Sequence, residues 1–547
     1  MGPAHRDVIE MGGGDKSILK NTATVGGLTA LSRVLGLVRE MLQSRIIGAG
    51  WEQSAFTLAF AIPNMARKLF GEGALTAAFV PVFRGEMEAE SIEKARRLAR
   101  AVMSMALLML GAIVALSMTG ITYAIGARPW GMDPDGETYH RTLLILRLTR
   151  ILLPYMIFIC GAAFGMGVLN AMGRFAAAGF MPALLNVFWI GSLVYLSFCG
   201  DMGLNERVQR VAVAILIAGA AQMAFMFWCM KRRGISPGFT FRGWRDEKTL
   251  LVWKNTCIAA VGAGAVQINY MLDQALGQLA SPWAAGVVGY ADRLMDLPLG
   301  VVGVAFGTVL LPTFAGAFAR GDVSGARKAF LSSADNMLFV MIPAAVGLGV
   351  LAPEITRVVY EGRAFDAMAT TRVARAVACY AFGLGFFGIQ KCLVPWFQAQ
   401  NDMKTPLAVS VKMVFLNAVL NVLSVLYLPV EWRHVGLAGS TVVCAALSCV
   451  LLGFAARRSN GGIGLGALVK PVAKTCAASL LMGAALVVAR VAWISVASSR
   501  GWSGAVANVA SLMAMILMGA AVFFLAAYMM NRGAFSARLK SLCRRRR

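Results

Sequence analysis

The sequence predicts an all-α polytopic membrane protein with about 14 transmembrane helices, built as two six-helix lobes in a parallel pseudo-repeat plus two extra C-terminal helices. Hydrophobic residues make up 58% of the 547 residues and charged residues only 14%, whereas about 25% of the residues in an ordinary soluble domain are charged. Apolar stretches of about 20 residues, enough to cross a bilayer, recur along the whole chain. Short segments of the first half also recur at a constant distance in the second half.

The transmembrane helices are predicted from apolar stretches that alternate with short polar segments. Each stretch is long enough to cross the hydrocarbon core, which takes about 20 helical residues. An even number of crossings places both termini on the same side of the membrane. The predicted helices span residues 22–47, 53–83, 99–126, 143–170, 178–199, 207–230, 252–279, 284–314, 329–352, 370–399, 406–428, 434–456, 468–494 and 505–530.

Basic residues indicate the orientation of the chain. The net charge is +25. The Lys and Arg residues between the predicted helices cluster in the loops of one side, whereas loops 48–52 and 281–286 on the other side contain none, and Arg128, Arg141, Arg207, Arg210 and Arg500 are a minority there. The positive-inside rule therefore places both termini in the cytoplasm. A nucleic-acid-binding protein would instead show a basic module with interleaved aromatic residues, which this sequence lacks.

An internal repeat is visible at one constant offset along the chain. Pro81-Val82-Phe83 corresponds to Pro312-Thr313-Phe314, and the same shift carries Leu185-Asn186 onto Leu416-Asn417. Because the offset covers six helices, an even number, the two copies have the same orientation in the membrane. The predicted organisation is a polar cytoplasmic leader (1–21), an N-lobe of helices 1–6 (22–235), a C-lobe of helices 7–12 (250–460), helices 13 and 14 (461–532) and a basic cytoplasmic tail (533–547).

The first predicted helix contains charges within an apolar stretch. Arg33 and Arg39 lie there, accompanied by Ser32 and Gly36. A charged side chain at the bilayer centre costs about 2.5–3.5 kcal/mol on insertion scales, so it normally faces a polar cavity or a partner. Gly36 leaves room for the close approach of a neighbouring helix or a ligand. The alternative is that the arginines, above all Arg45 near the helix end, extend to the membrane surface.

The second predicted helix should be interrupted. Pro63, which precedes Asn64, removes a backbone hydrogen bond and should bend the helix. Arg67 follows, and Lys68 and Glu72 are four residues apart, so they can pair on one helix face. Interrupted helices in transporters mark binding sites, because backbone groups released from a helix are tolerated only where they line a cavity. The alternative is a charged turn at the membrane surface.

The eighth predicted helix begins with a charged cluster. Asp292 and Asp296 share a helix face, and Arg293 can reach Asp296 three residues further on. One interpretation is a closed salt-bridge cluster. The other is that Arg293 alternates between these carboxylates and an anionic substrate, since the planar guanidinium binds phosphate oxygens through two parallel hydrogen bonds.

Together, the arginines predict a cavity between the lobes that binds a ligand with several negative charges. Arg33, Arg39, Arg67 and Arg293 come from three helices and from both lobes. A drug/cation antiporter would instead need an acidic cavity, and an intramembrane enzyme would need a metal or a nucleophile–base pair. The sequence has only three histidines and no Cys-x-x-Cys pair, so a zinc or redox site is not expected. The predicted activity is transport, not catalysis.

Several short motifs resemble the MurJ (MviN) family of lipid II flippases. The resemblance covers nearly the whole chain, is densest in helices 1, 2 and 8, and becomes weak after about residue 460. The sequence departs from the family at Ser54 and Ala61, where members often have an aspartate and a lysine. The motifs are Ser32-Arg33-Val34-Leu35-Gly36, Gly48-Ala49-Gly50, Pro63-Asn64, Glu72-Gly73-Ala74, Ala78-Phe79-Val80-Pro81, Ala291-Asp292-Arg293-Leu294-Met295 and Lys404-Thr405-Pro406.

The resemblance implies the fold of the multidrug/oligosaccharidyl-lipid/polysaccharide exporter (MOP) superfamily. It implies export of lipid II, the undecaprenyl-pyrophosphate-linked peptidoglycan precursor, across the bacterial inner membrane by alternating access, for cell-wall biogenesis and cell shape. The implied partners are lipid II, membrane lipids and the peptidoglycan-synthesis machinery. A flippase for another lipid-linked oligosaccharide, such as an O-antigen or capsule unit, is the alternative. The predicted substrate-binding residues are Arg33, Arg39, Arg67, Arg293, Ser32, Gly36, Asn64, Glu72, Asp292 and Asp296.

The energy source is predicted from a second group of polar residues, because no nucleotide-binding domain is recognisable in the sequence. Asp273, Asn417, Asn421 and Thr441 come from three helices of the C-lobe, and their oxygen atoms could hold Na⁺ as a coupling ion. This set resembles a sodium site reported in some family members. The alternatives are a hydrogen-bonded polar patch without an ion, a pair between Lys391 and Asp273, and the membrane potential, which contributes about 2.3 kcal/mol per charge per 100 mV. No other cofactor is expected.

Overall fold

The computed structural model describes residues 15–71, 74–89, 91–127, 133, 135–458, 462–500 and 504–530. A π-helical turn, Arg67–Gly71, follows α2, and a short 3-10 turn, Leu465–Leu468, precedes α16. The helices are α1 (Asp15–Ile47), α2 (Trp51–Ala66), α3 (Ala74–Ala89), α4 (Ile92–Gly126), α5 (Glu137–Leu152), α6 (Tyr155–Ala171), α7 (Ala176–Phe198), α8 (Leu204–Arg232), α9 (Glu247–Ala280), α10 (Ala284–Ala319), α11 (Val323–Val350), α12 (Ala352–Tyr360), α13 (Ala367–Gln398), α14 (Lys404–Tyr427), α15 (Val430–Arg458), α16 (Val469–Arg500) and α17 (Ala505–Met530).

The all-α fold class is confirmed. Within the described residues, 10 helices are long and apolar enough to cross a membrane, with α5 and α6 forming one crossing. The full count of about 14 crossings stays a prediction. The other long helical segments are α1, the α2–α3 pair, α9 and α10, and each of them contains residues of the predicted sites.

The chain divides into two compact units, residues 1–271 and 272–547. The dividing point lies inside α9. The first unit is a helical bundle with two apolar layers along its length. One layer joins the end of α1 to α2, α5, α6, α7 and α8 around Phe56, Leu148 and Trp189. The other joins α3, α4, α6 and α8 around Phe79, Phe83 and Phe164.

Helices α6 and α8 approach each other closely in the first unit. A Cβ atom at Gly219 would lie 2.4 Å from the Tyr155 ring, so a larger residue there would force the two helices apart. Close approach of this kind is typical of membrane helices, whose packing depends on small residues at the contact.

The second unit contains an aromatic core and an appended helix pair. Helices α16 and α17 pack against each other and against α11 and α12 through Leu351, Met482, Leu486 and Phe523. Elsewhere in this unit, the Trp396 ring on α13 lies edge-on against Phe314, Phe318 and Phe330 at centroid distances of 5.6, 5.0 and 5.8 Å.

Replacing Trp396 with alanine is expected to destabilise the protein by about 3–5 kcal/mol, because the residue is fully buried and its loss leaves a large cavity. Denaturant unfolding in detergent micelles measures this change. Phe382→Ala is the matched control on the same helix, since Phe382 is 81% exposed and its loss creates no internal cavity. Equal effects of the two substitutions would contradict the assigned core.

The internal repeat is visible in the helix boundaries. Helices α4 and α11 begin at Ile92 and Val323, which are related by the same offset as the repeated sequence motifs. Both helices have a side-chain N-cap at the preceding residue. Ser91 accepts a hydrogen bond from the Lys94 N–H at 3.3 Å, and Asp322 accepts one from the Gly325 N–H at 2.7 Å. A side-chain cap that accepts a hydrogen bond from an otherwise unsatisfied N–H group at the helix start therefore recurs at the predicted offset.

Candidate functional site

In the first unit, Arg39 on α1 is held by side chains of α7. The Arg39 Nη1 group donates a hydrogen bond of 3.0 Å to the Asn186 carbonyl oxygen. The guanidinium also lies over the Trp189 ring, 4.4 Å from its centroid, and pairs with the Glu40 carboxylate. Arg39 is therefore held between an amide, an aromatic face and a carboxylate.

The Trp189 ring is itself oriented by a buried chain of amides. Its Nε1 group donates to the Gln43 carbonyl oxygen at 3.0 Å, and Gln43 donates to Gln53 on α2 at 2.9 Å. Phe56 and Phe60 pack edge-on against the same ring. Buried amides need such partners, because an unsatisfied polar group in an apolar layer costs free energy. Helices α1, α2 and α7 are thereby joined around Arg39.

Ser32 and Gly36 contact the same asparagine. The Asn186 Nδ2 group donates to the Ser32 carbonyl oxygen at 3.1 Å. A Cβ atom at Gly36 would lie 3.8 Å from Asn186 Nδ2, so the glycine faces α7 at this point. Arg33 and Arg45 lie on exposed parts of α1.

The interruption of the second predicted helix lies just after the predicted bend. Pro63 is inside α2, and the π-helical turn begins four residues later at Arg67. Two donors of Arg67, Nε and Nη2, bind the Asn64 carbonyl oxygen at 3.2 and 3.0 Å, so Asn64 fixes the plane of the guanidinium. The Lys68 ammonium lies over the Tyr270 ring, 5.3 Å from its centroid. Glu72 lies outside the described residues.

In the second unit, the charged cluster of α10 follows a buried pair of tyrosines. The Tyr360 hydroxyl donates to the Tyr290 carbonyl oxygen at 3.2 Å, and the two rings lie 4.8 Å apart. Of the charged residues that follow, Asp292 is half-buried, whereas Arg293 and Asp296 are exposed. Asp292 is close enough to Asp273 for their charges to interact. The anchored tyrosines thus set where the Asp292–Asp296 cluster begins.

The polar residues predicted to bind sodium form a hydrogen-bonded cluster in the second unit. The Asn421 Nδ2 group donates to the Asp273 carboxylate at 2.6 Å and to the Asn417 carbonyl oxygen at 2.9 Å. The Ser440 hydroxyl donates to the Asn421 carbonyl oxygen. The Thr441 hydroxyl donates to the Leu437 carbonyl oxygen at 3.3 Å. Three of the four predicted residues therefore meet directly, and Ser440 joins them.

Three residues that take part in these sites were not predicted from the sequence: Asn186, Trp189 and Ser440. The repeat contained a signal for the first, because Asn186 and Asn417 occupy matching positions of its two copies. In the structure Asn186 binds α1, the first helix of the first copy. Asn421, one helical turn after Asn417, binds Asp273 on α9, the first helix of the second copy. Trp189 and Ser440 had no comparable signal.

The predicted arginines are distributed over both units. Arg33, Arg39 and Arg67 belong to the first and Arg293 to the second, and a cavity shared by all four stays a prediction. Within the described residues, no group of three or more His, Cys, Asp or Glu side chains could hold a metal ion. The cluster of Asp273, Asn417, Asn421 and Ser440 instead offers mostly neutral oxygens, which suit a weakly bound monovalent cation.

Comparisons with known proteins agree with the motifs. A family model described as lipid II flippase MurJ matches residues 43–506. The probable lipid II flippase MurJ of Rhizobium tropici is 33% identical over 519 residues, which cover 94% of this chain and 95% of that relative. The probable lipid II flippase MurJ of Rhizobium meliloti (strain 1021) is 34% identical over 486 residues, which cover 88% of each chain.

Solved structures show the same fold. The lipid II flippase MurJ in an inward closed conformation superposes with a TM-score of 0.72 at 22% identity, covering 93% of this chain and 98% of that one. An inward-facing multidrug resistance MATE transporter of the MOP superfamily gives a TM-score of 0.64 at 15% identity, covering 82% of this chain and 99% of that one. With the family model matching most of its length, this multi-pass membrane chain belongs to the MurJ lipid II flippase family.

Proposed function

We propose that this protein moves lipid II across the bacterial inner membrane by alternating access, with the pyrophosphate of the substrate bound by the arginines of α1, the π-helical turn and α10. One observation carries the proposal: Arg39 and Arg67 are held in place by the carbonyl oxygens of Asn186 and Asn64. A neutral amide orients a guanidinium without cancelling its charge. The Glu40 carboxylate also pairs with Arg39, so the support for the proposal is the fixed orientation of the guanidinium donors, which suits a phosphate oxygen.

The proposed ligand matches the chemistry of these residues. A pyrophosphate carries several negative charges and presents paired oxygens, which suit the planar fork of an arginine better than the point charge of a lysine. Placing arginines from both units on one substrate would couple its binding to the rearrangement of the lobes. The carrier supplies binding and orientation only, and no covalent step is part of the proposal.

The polyprenyl tail is proposed to follow the appended helices. Helices α16 and α17 border an apolar cavity of about 1020 Å³, lined mainly by alanine, valine and methionine side chains such as Ala492, Ala507 and Met515. Small residues leave space between two helices, and a flexible isoprenoid chain needs an apolar surface of this kind. The tail would thus stay in an apolar environment while the head group crosses.

Sodium is proposed as the coupling ion at the cluster of Asp273, Asn417, Asn421 and Ser440. In the structure the Asn421 Nδ2 group points at the oxygens of Asp273 and Asn417. Turning this amide over, so that its oxygen and nitrogen exchange places, would bring three oxygens opposite one another and leave Nδ2 facing Ser440, whose hydroxyl can also accept a hydrogen bond. Converging oxygens repel unless a cation lies between them, so the residues present fit Na⁺. A bound cation would supply charge compensation for Asp273.

The proposed location is the bacterial inner membrane with both termini in the cytoplasm. The basic loops support this orientation through the positive-inside rule. Enzymes that make and polymerise lipid II are the proposed partners, because the substrate must be supplied on one side and consumed on the other.

Replacing Arg33 or Arg293 with alanine is expected to abolish growth of cells that depend on this protein, because each loses a cation of the proposed substrate site. Depletion of the wild-type protein in the same cells should cause lipid II to accumulate. Normal growth of both variants, expressed at the wild-type level, would contradict the site. Accumulation of another lipid-linked oligosaccharide in place of lipid II would favour the alternative substrate.

A further inference from the structure

We propose that Asn186 is a positioning residue that holds the Arg39 guanidinium in the orientation needed to bind the substrate pyrophosphate. This inference rests on the proposed function. Asn186 lies on α7, 147 positions from Arg39 in the chain, and is 5% exposed. Its contacts are with Arg39 and Ser32 on α1, so its proposed effect on the substrate acts through the arginine.

The orientation of the Asn186 amide is fixed at both ends. Its Nδ2 group donates to the Ser32 carbonyl oxygen at 3.1 Å, and its carbonyl oxygen accepts from Arg39 Nη1 at 3.0 Å. Because the backbone carbonyl of Ser32 accepts hydrogen bonds only, the amide cannot turn over without losing both contacts. One side chain of α7 therefore bridges two turns of α1 and presents an acceptor to Arg39.

Two further contacts leave one edge of Arg39 for an anion. The Trp189 ring covers one face of the guanidinium, and the Glu40 carboxylate takes Nη2. Of the five N–H donors of an arginine, the described residues engage Nη1 through Asn186 and Nη2 through Glu40. The Arg39 side chain is 13% exposed, so part of it remains accessible. A phosphate that arrives at this edge meets donors already held in a plane.

Asn186 also limits the number of Arg39 donors that bind Glu40, because it engages Nη1. The carboxylate next to Arg39 in sequence attracts the guanidinium, and an arginine fully paired with it would have less attraction for a second anion. The neutral carbonyl oxygen of Asn186 accepts a hydrogen bond from another direction, so the guanidinium is divided between two acceptors. Removing it should free Nη1 to turn toward Glu40 as well, so that both terminal nitrogens bind the carboxylate, which lowers the affinity for the substrate while the fold persists.

A double-mutant cycle tests this role. Lipid II binding to the purified full-length protein in nanodiscs is measured for the wild type, Asn186→Leu, Arg39→Ala and the double variant. We expect Asn186→Leu to weaken binding about tenfold, the loss typical of one charge-assisted hydrogen bond. We expect the double variant to bind no more weakly than Arg39→Ala, since the asparagine has no effect without the arginine.

Gln222→Leu is the matched control. Gln222 is 2% exposed on α8 and donates to the Met181 carbonyl oxygen at 2.8 Å, so its loss costs a similar buried amide contact without touching Arg39. It should keep wild-type affinity. Thermal unfolding of each variant in detergent shows whether it is folded.

Asn186→Asp supplies a second, nearly isosteric variant. The new carboxylate would pair with Arg39 and should weaken lipid II binding at least as much as leucine does. Wild-type affinity in both Asn186 variants, or additive losses in the double variant, would overturn the positioning role. Absence of lipid II binding to the wild-type protein would instead overturn the proposed function, so the two failures are distinguishable.

Discussion

Replacing Arg67 with alanine is expected to weaken lipid II binding by about 10- to 100-fold, because charge-assisted hydrogen bonds contribute about 1.5–3 kcal/mol each. Arg67 opens the π-helical turn, where its Nε and Nη2 groups bind the Asn64 carbonyl oxygen. The asparagine fixes the side chain before the substrate arrives, so little conformational entropy is lost on binding.

Arg97→Ala is the matched control for this prediction. Arg97 is 75% exposed on α4 and lies 4.0 Å from Glu93, so its removal changes the net charge by the same amount at a solvated position. Equilibrium binding to the protein in nanodiscs compares the two variants at several salt concentrations. Similar losses in both would mean that Arg67 contributes only to the overall field of the protein and does not contact the substrate.

The helices could be predicted from hydropathy, but the interruption of the second one was placed less accurately. Pro63 lacks an N–H and so removes one backbone hydrogen bond, yet the Arg67 N–H still donates to the Pro63 carbonyl oxygen. The helix therefore continues through the proline and changes its winding only at the π-helical turn. Such turns often mark functional positions, but they depend on packing that a single sequence does not show.

The chemical character of the sites could also be predicted, because charges within apolar helices are costly and therefore conspicuous. The partners of these charges could not. Asn186 is far from Arg39 in the chain, and nothing local to either residue indicates that α1 and α7 meet there. It was also difficult to predict which of two neighbouring residues faces a given partner, because successive residues of a helix point about 100° apart. Ser440, not its neighbour Thr441, donates to Asn421.

Replacing Asp273 with asparagine is expected to eliminate the dependence of lipid II transport on a sodium gradient. The substitution preserves the size of the side chain but removes the charge that a cation would compensate. It also introduces an amide whose N–H groups repel a cation. In proteoliposomes held at constant membrane potential, we expect an imposed sodium gradient to accelerate transport by the wild-type protein and to have no effect on the variant.

Asp402→Asn makes the same chemical change outside the cluster. The Asp402 carboxylate accepts a hydrogen bond of 3.0 Å from the Thr405 N–H near the start of α14, and asparagine is an equally good acceptor at such a position. This variant should therefore keep the full sodium response. Lipid II binding by both variants is measured alongside transport, so that a loss of coupling is separated from a loss of substrate binding. A sodium response that persists in Asp273→Asn would assign the cluster a purely structural role. Transport would then have to draw on the membrane potential, since each charge that crosses 100 mV contributes about 2.3 kcal/mol.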